Sequence, residues 1–200
     1  MNYKKVLAGT SAVALAAGLG AGIAPANAKK GTTPLSEVIS DNKDFDVLAG
    51  AVNAVLTDNP DSAVGVLADG SVKLTAFAPT DKAFRNLATT LSGKKVKSDA
   101  KALEVVAGLG LDTVETVLLY HVVPGEYITA KKALKSNNAK LKTAADGLTV
   151  KVKVKKKKGQ VFLKDRAPEL KNPKVVIPDI NKGNKQIAHA INNVLLPIQP

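Results

Sequence analysis

The stretch LLYHVVPG, from Leu118 to Gly125, joins the apolar end of a helical pattern to an extended exit and contains one of the chain's two histidines. The segment DTVETVLL before Tyr120 begins with Asp112, which can accept from backbone N–H groups at a helix start, and Glu115 completes the pattern of a capping box. Val-Val favours extended backbone, proline cannot continue a helix, and glycine permits a tight turn. The stretch therefore predicts a helix-to-strand junction.

His121 ends an apolar stripe on the predicted helix. Val114, Val117 and Leu118 precede it at three- and four-residue steps, so all four side chains share one face. A buried imidazole needs a partner for each ring nitrogen. We therefore expect His121 to point into the core and to be held there by hydrogen bonds.

Candidate partners lie in LTAFAPTDKAF, from Leu74 to Phe84, which reads as a short strand followed by a helix that begins near Thr80. Thr80 or Asp81 could cap that helix and also accept from His121. The same three side chains could instead form an acid–base or nucleophilic cluster. The sequence contains no Gly-x-Ser-x-Gly elbow and no His-Glu-x-x-His spacing. We interpret the set as a structural hydrogen-bond network and expect no catalytic residue, metal or cofactor.

These two segments resemble the first conserved motif and the Tyr-His motif of the fasciclin (FAS1) domain. AHAINNVLLP, from Ala188 to Pro197, resembles the second conserved motif, and the resemblance extends from about residue 35 to residue 197. It implies an α+β fold, a wedge-shaped β-sandwich with helices packed on it. It also implies a non-enzymatic adhesion or binding module that contacts extracellular matrix, a cell surface or wall polymer. Because a few bacterial relatives are associated with polymer breakdown, hydrolysis of an ester or polyester is a more remote alternative.

The N-terminus predicts a secretory signal peptide, residues 1–28. Lys4 and Lys5 precede an uncharged run from Val6 to Ala24, and Ala26-Asn27-Ala28 is a small-x-small cleavage site. An uncleaved membrane anchor is the alternative, because the uncharged run is almost long enough to span a bilayer. The sequence therefore favours a secreted, extracellular protein, which charge could also hold on a cell wall.

The rest of the chain predicts one domain. We expect residues 29–34 to form a short leader of the mature chain and residues 35–198 to form a single fasciclin-like domain, as in a secreted bacterial member of the family. The chain contains no cysteine, so packing alone must hold this fold. No other segment could cross a bilayer after signal cleavage, and we expect a monomer.

Helical periodicity dominates the first half of this domain and strand alternation the second, which is typical of an α+β fold. Helices are predicted over 35–39, 45–56, 62–67, 80–91, 98–108 and 112–119, and strands over 73–78, 148–155, 161–164, 175–177 and 187–191.

A lysine cluster is the first candidate binding site. Its members are Lys151, Lys153, Lys155, Lys156, Lys157 and Lys158, and Lys164, Lys171 and Lys174 follow. Alternate residues of a strand share one face, so the first three should form a row that suits a polyanion: wall phosphate polymer, acidic polysaccharide or anionic lipid. The alternative is a solvated strand face whose lysines prevent edge-to-edge aggregation. The chain has no tryptophan, so specific nucleic-acid binding by stacking is not expected.

Asp179 and Ile180 form the second candidate site, an adhesion site. In animal fasciclin domains, an Asp-Ile pair at this place is associated with integrin-mediated adhesion, and the resemblance extends that role to these residues. The alternative is a structural role in the fold. Two positions depart from the family pattern, because Gln186 stands where glycine is usual and Asn192 where aspartate often occurs.

Overall fold

The protein is described by a computed structural model that covers residues 31–167 and 170–197, and the predicted signal peptide lies outside these residues. The helices are α1 (Leu35–Ser40), α2 (Asp46–Asp58), α3 (Asp81–Ser92), α4 (Asp99–Ala107), α5 (Leu111–Tyr120) and α6 (Ala130–Lys135). The strands are β1 (Leu74–Pro79), β2 (Val122–Pro124), β3 (Lys140–Lys142), β4 (Thr149–Lys155), β5 (Gln160–Lys164), β6 (Val175–Ile180) and β7 (Gln186–Ile191). Short 3₁₀ segments cover Lys43–Phe45, Ala63–Ala68 and Lys156–Lys158.

A four-stranded sheet in the order β2–β1–β7–β6 forms the centre of the fold. β1 runs antiparallel to β2 and parallel to β7, so the three sequence motifs meet side by side. The register places His189 opposite Phe77, and the two rings stack with centroids 5.9 Å apart. Because both central strands are buried along their whole length, His189 lies in the core.

The central sheet is covered on both faces. Ala76 and Ala78 of β1 pack into a core shared with the helices, whereas Phe77 points into a second core shared with a three-stranded sheet. That second sheet has the order β3–β4–β5, and Val150 and Val152 of β4 point inward from it. The α+β sandwich with packed helices expected from the sequence is confirmed. No helix in the described part of the chain is long and apolar enough to cross a membrane.

The predicted helix-to-strand junction is present. α5 ends at Tyr120, His121 is its C-terminal cap, and β2 starts at the next residue. The predicted capping box is wrong, because Gly110 precedes the helix. Glu115 instead accepts a hydrogen bond of 2.5 Å from the Ser62 hydroxyl, which ties α5 to the 3₁₀ segment after α2.

Gln186 has a clear structural role at the start of β7. Its side chain is fully buried, and its Oε1 accepts from the backbone N–H of Leu35 at 2.7 Å. Its Nε2 donates to the carbonyls of Val66 and Asp69 at 2.8 and 2.9 Å. This residue therefore joins the central sheet to α1 and to the turn before β1.

Candidate polyanion-binding face

The outer surface of the three-stranded sheet carries the predicted lysine row. Val150 and Val152 are buried, whereas Lys153 and Lys155 are exposed and Lys151 is half-buried, as strand alternation requires. In the sheet register, Lys151 lies between Lys140 of β3 and Lys164 of β5. Directly opposite side chains on neighbouring strands are about 5 Å apart at Cβ, so lysines from three strands stand side by side.

The row continues into a densely charged turn. Lys156, Lys157 and Lys158 form an exposed 3₁₀ turn, and Gly159 closes it in the left-handed region at φ +59°. Residues 149–164 contain seven lysines and no acidic residue, whereas the net charge of the whole chain is +12. Most of the excess positive charge is therefore concentrated on one hairpin.

We define the lysine face as the lysine side chains on the outer surface of the three-stranded sheet and on the turn after β4. The sequence predicted only part of this face. Two members, Lys140 and Lys142, were missed, although the pattern Lys-Leu-Lys before the Asp146-Gly147 turn is a short signal for a pairing strand. The members of the face are Lys140, Lys142, Lys151, Lys153, Lys155, Lys156, Lys157, Lys158, Lys164 and Lys174.

Two lysines of the face are held by neighbours on the same surface. Lys153 Nζ donates to Asn138 Oδ1 at 2.8 Å, and Lys155 Nζ lies 4.6 Å from the centroid of the Phe162 ring. A cation over an aromatic ring is attracted to it, so the ammonium group of Lys155 has a preferred position. The face thus combines two positioned ammonium groups with a freely exposed turn.

His121 is buried, with 4% of its surface exposed, as predicted, but its hydrogen-bond partners differ from the predicted ones. Nδ1–H donates to the Val117 carbonyl at 2.7 Å, and Nε2 accepts from the Leu195 N–H at 2.9 Å. Burial lowers the pKa of His121 from 6.5 to about 4, although the bond to Val117 opposes the shift. The imidazole is therefore neutral at physiological pH and joins α5 to the segment after β7.

Thr80 and Asp81 bind other groups, so the predicted network with His121 is corrected. Thr80 caps α3 by accepting from the Ala83 N–H at 3.4 Å, and Asp81 Oδ1 accepts from the Val47 N–H at 2.9 Å. Burial raises the pKa of the Asp81 carboxyl, although the bond from Val47 acts in the opposite direction. The prediction differs from the structure because each of the three side chains forms its hydrogen bonds with backbone groups, and none of them bonds to another of the three. The first motif contacts His121 through its backbone, since the Phe77 N–H donates to the His121 carbonyl at 2.9 Å.

Asp179 is engaged inside the fold. Its backbone N–H donates to His189 Nδ1 at 3.2 Å, and its Oδ1 accepts from the Ala130 N–H at the start of α6 at 2.7 Å. Asp179 adopts a positive φ of 60°, a conformation that aspartate tolerates better than most residues. Ile180 is half-buried and packs against the helical core. Both members of the pair thus have structural contacts, and the large hydrophobic side chains exposed on this edge strand are Val176 and Ile177.

Comparisons with known proteins agree with this architecture. A family model described as the fasciclin domain matches residues 45–197. The fold is similar to the solved structure of a FAS1 domain pair from the insect cell adhesion molecule fasciclin I, with a TM-score of 0.60 and 18% sequence identity. That match covers 82% of this chain and 51% of the insect chain, so the protein spans about half of that structure. No curated protein matches the sequence.

Proposed function

The chain belongs to the fasciclin domain family, a family of cell-adhesion modules, and from that premise we propose that it is a secreted, non-enzymatic adhesion protein. Its lysine face would hold it on an acidic polymer of a cell wall, a cell surface or an extracellular matrix. The signal-peptide pattern at residues 1–28 supports export. The separate engagement of Thr80, Asp81 and His121 by backbone groups supports a role without catalysis.

The observation that carries the proposal is the continuity of the lysine face. Along β4 the lysines are about 7 Å apart, and across the strands they are closer. These spacings do not exceed the Debye length of roughly 8 Å at physiological ionic strength, so an approaching polymer meets their fields together. Lysines that only protect a sheet edge need not extend over three strands and a turn.

A salt titration on immobilised polymer tests the proposal. The protein is loaded on a sulfated polysaccharide and on a glycerol phosphate polymer, and the salt concentration that elutes it is measured. The face variant changes Lys156, Lys157 and Lys158 to glutamine. The matched control changes Lys94, Lys95 and Lys97, which are exposed in the loop between α3 and α4 and carry the same total charge.

We expect the face variant to elute at a clearly lower salt concentration and the control to elute close to the wild type. A lysine at an anionic surface contributes about 1 kcal/mol, so three of them correspond to a more than tenfold change in affinity. If the two variants lower the eluting salt concentration equally, the lysine face contributes only through the net charge of the protein and is not a specific binding site. Retention that is insensitive to salt and to both variants would favour the second candidate, adhesion through the β6 edge with its exposed Val176 and Ile177.

A further inference from the structure

A groove of about 800 Å³ lies at one side of the lysine face, between the β4–β5 hairpin and the segments 171–174 and 192–193. Its lining contains four lysines, six side-chain amides and the Phe162 ring, and it contains no carboxylate side chain. The volume is within the roughly 300–1,000 Å³ typical of sites for small ligands. The groove is therefore large enough to receive part of a polymer chain.

The protein itself fixes the orientation of four of these amides, and in three of them the oxygen is the atom that is engaged. Asn137 Oδ1 accepts from the Val154 N–H at 2.9 Å, and Asn192 Oδ1 accepts from the Lys174 N–H at 2.8 Å. Asn138 Oδ1 accepts from Lys153 Nζ at 2.8 Å. Because each of these partners can only donate, the accepting atom must be the amide oxygen. Each Nδ2 group is left with its two N–H donors and has no partner among the described residues.

The groove consequently presents an excess of donors, positioned amides as well as ammonium groups. Asn193 is oriented the other way, since its Nδ2 donates to the Lys171 carbonyl at 3.0 Å and its Oδ1 remains an acceptor. Phe162 adds a half-buried apolar surface beside these polar groups. A complementary ligand therefore carries anionic oxygens, hydroxyl groups and a small apolar ring face.

We propose that this groove is a subsite for an acidic saccharide, a sugar unit bearing a carboxylate or sulfate. The lysines would bind its anionic group, and the Nδ2 groups of Asn137, Asn138 and Asn192 would donate to its hydroxyl and ring oxygens. Asn193 Oδ1 would accept from a hydroxyl, and the ring face would pack on Phe162 as the Lys155 ammonium moves from the ring to the anionic group. The inference rests on the proposed function in that the lysine face meets an acidic polymer, and it adds that the polymer is a polysaccharide.

Other polyanions fit the groove less well. A glycerol phosphate polymer has no ring face for Phe162, and ammonium groups alone satisfy its charges. A bilayer of anionic lipid is flat and would meet the protruding Lys156–Lys158 turn rather than the concave wall of the groove. Single-stranded nucleic acid needs aromatic platforms for successive bases, and the lining of this groove has one aromatic ring.

Binding of short probes to the full protein tests the inference by calorimetry. The probes are a heparin-derived tetrasaccharide and a glycerol phosphate tetramer. The groove variant combines Asn137→Asp with Asn192→Asp, because aspartate keeps the acceptor for Val154 and Lys174 but replaces the donating group with an anionic oxygen. The control combines Lys94→Gln with Lys95→Gln, which lowers the net charge by the same two units in the α3–α4 loop, outside the lysine face.

We expect the groove variant to weaken tetrasaccharide binding at least about tenfold and the control to weaken it two- to threefold. In the wild type, the side-chain NH₂ resonances of Asn137 and Asn192 should shift during the tetrasaccharide titration, a readout that does not depend on the folding of a variant. Unshifted NH₂ resonances, equal losses in the two variants or equally tight binding of the glycerol phosphate tetramer would overturn the subsite. If salt-sensitive retention on polymer persists in that case, the proposed function stands; if the wild type is not retained on any acidic polymer, both fail.

Discussion

The change of His121 to alanine should remove a substantial part of the stability of the fold. The imidazole is 4% exposed, and its Nε2 is the acceptor for the N–H of the fully buried Leu195. An unsatisfied buried donor costs about 1–3 kcal/mol, and the cavity left by the ring adds to this cost. We expect a total loss of about 3–5 kcal/mol from a stability that is typically about 5–15 kcal/mol.

Equilibrium unfolding in urea measures this loss, with His121→Gln as the matched variant. The glutamine carbonyl can still accept from the Leu195 N–H, so the expected loss is only about 1–2 kcal/mol. A loss below about 1 kcal/mol for His121→Ala would refute the structural role of the imidazole. A folded His121→Ala protein that lacks an ester hydrolase activity present in the wild type would favour the catalytic alternative.

The pKa of His121 adds a pH dependence with a defined sign. Burial lowers this pKa from 6.5 to about 4, so the unfolded chain binds a proton between these values while the native chain does not. The contribution to stability is complete above pH 6.5 and is lost as the pH falls toward 4. Between pH 7 and pH 5 the loss amounts to about 2 kcal/mol. The His121→Gln variant should lose correspondingly less over this interval, and the remaining loss includes a contribution from His189, whose pKa burial also lowers.

Two further substitutions test buried polar contacts. Gln186→Ala should cost about 2–3 kcal/mol in urea unfolding, because it leaves the buried Leu35 N–H without an acceptor and empties a fully buried site, while the Val66 and Asp69 carbonyls each keep one backbone donor; an effect below about 1 kcal/mol would contradict the role of this amide. Asp179→Asn should leave stability nearly unchanged, since the amide oxygen still accepts from the Ala130 N–H, whereas Asp179→Ala should cost about 1–2 kcal/mol. If Asp179→Asn keeps its stability but abolishes cell attachment, the Asp179-Ile180 pair has a binding role after all.

The local elements could be predicted because their signals are local. The apolar spacing of α2 and the alternation along β4 correctly indicated a helix and a half-buried strand. β3 was missed because three residues are too short for an alternating pattern to stand out, and α6 was missed because it buries only Ala133 and so shows no apolar stripe. The fold class followed from the distribution of these patterns and from the three motifs.

The partners of buried polar side chains could not be predicted in the same way. His121 accepts from the backbone N–H of Leu195, 74 residues further along the chain, and any residue type could supply that donor. The lysine row on β4 was predictable, but its neighbours on β3 depended on a strand register that the sequence did not reveal. The amides of the groove escaped notice because their orientation depends on backbone donors from other segments, such as that of Lys174 for Asn192.

Lysine acetylation footprinting on bound polymer tests the central claim most directly. The protein is labelled while free and while bound to a sulfated polysaccharide, and the modification of each lysine is measured by mass spectrometry. We predict that polymer protects Lys153, Lys155 and the Lys156–Lys158 turn, while Lys94, Lys95 and Lys97 in the α3–α4 loop stay as reactive as in the free protein. Protection spread evenly over all exposed lysines, or confined to the α3–α4 loop, would contradict the lysine face as the binding site.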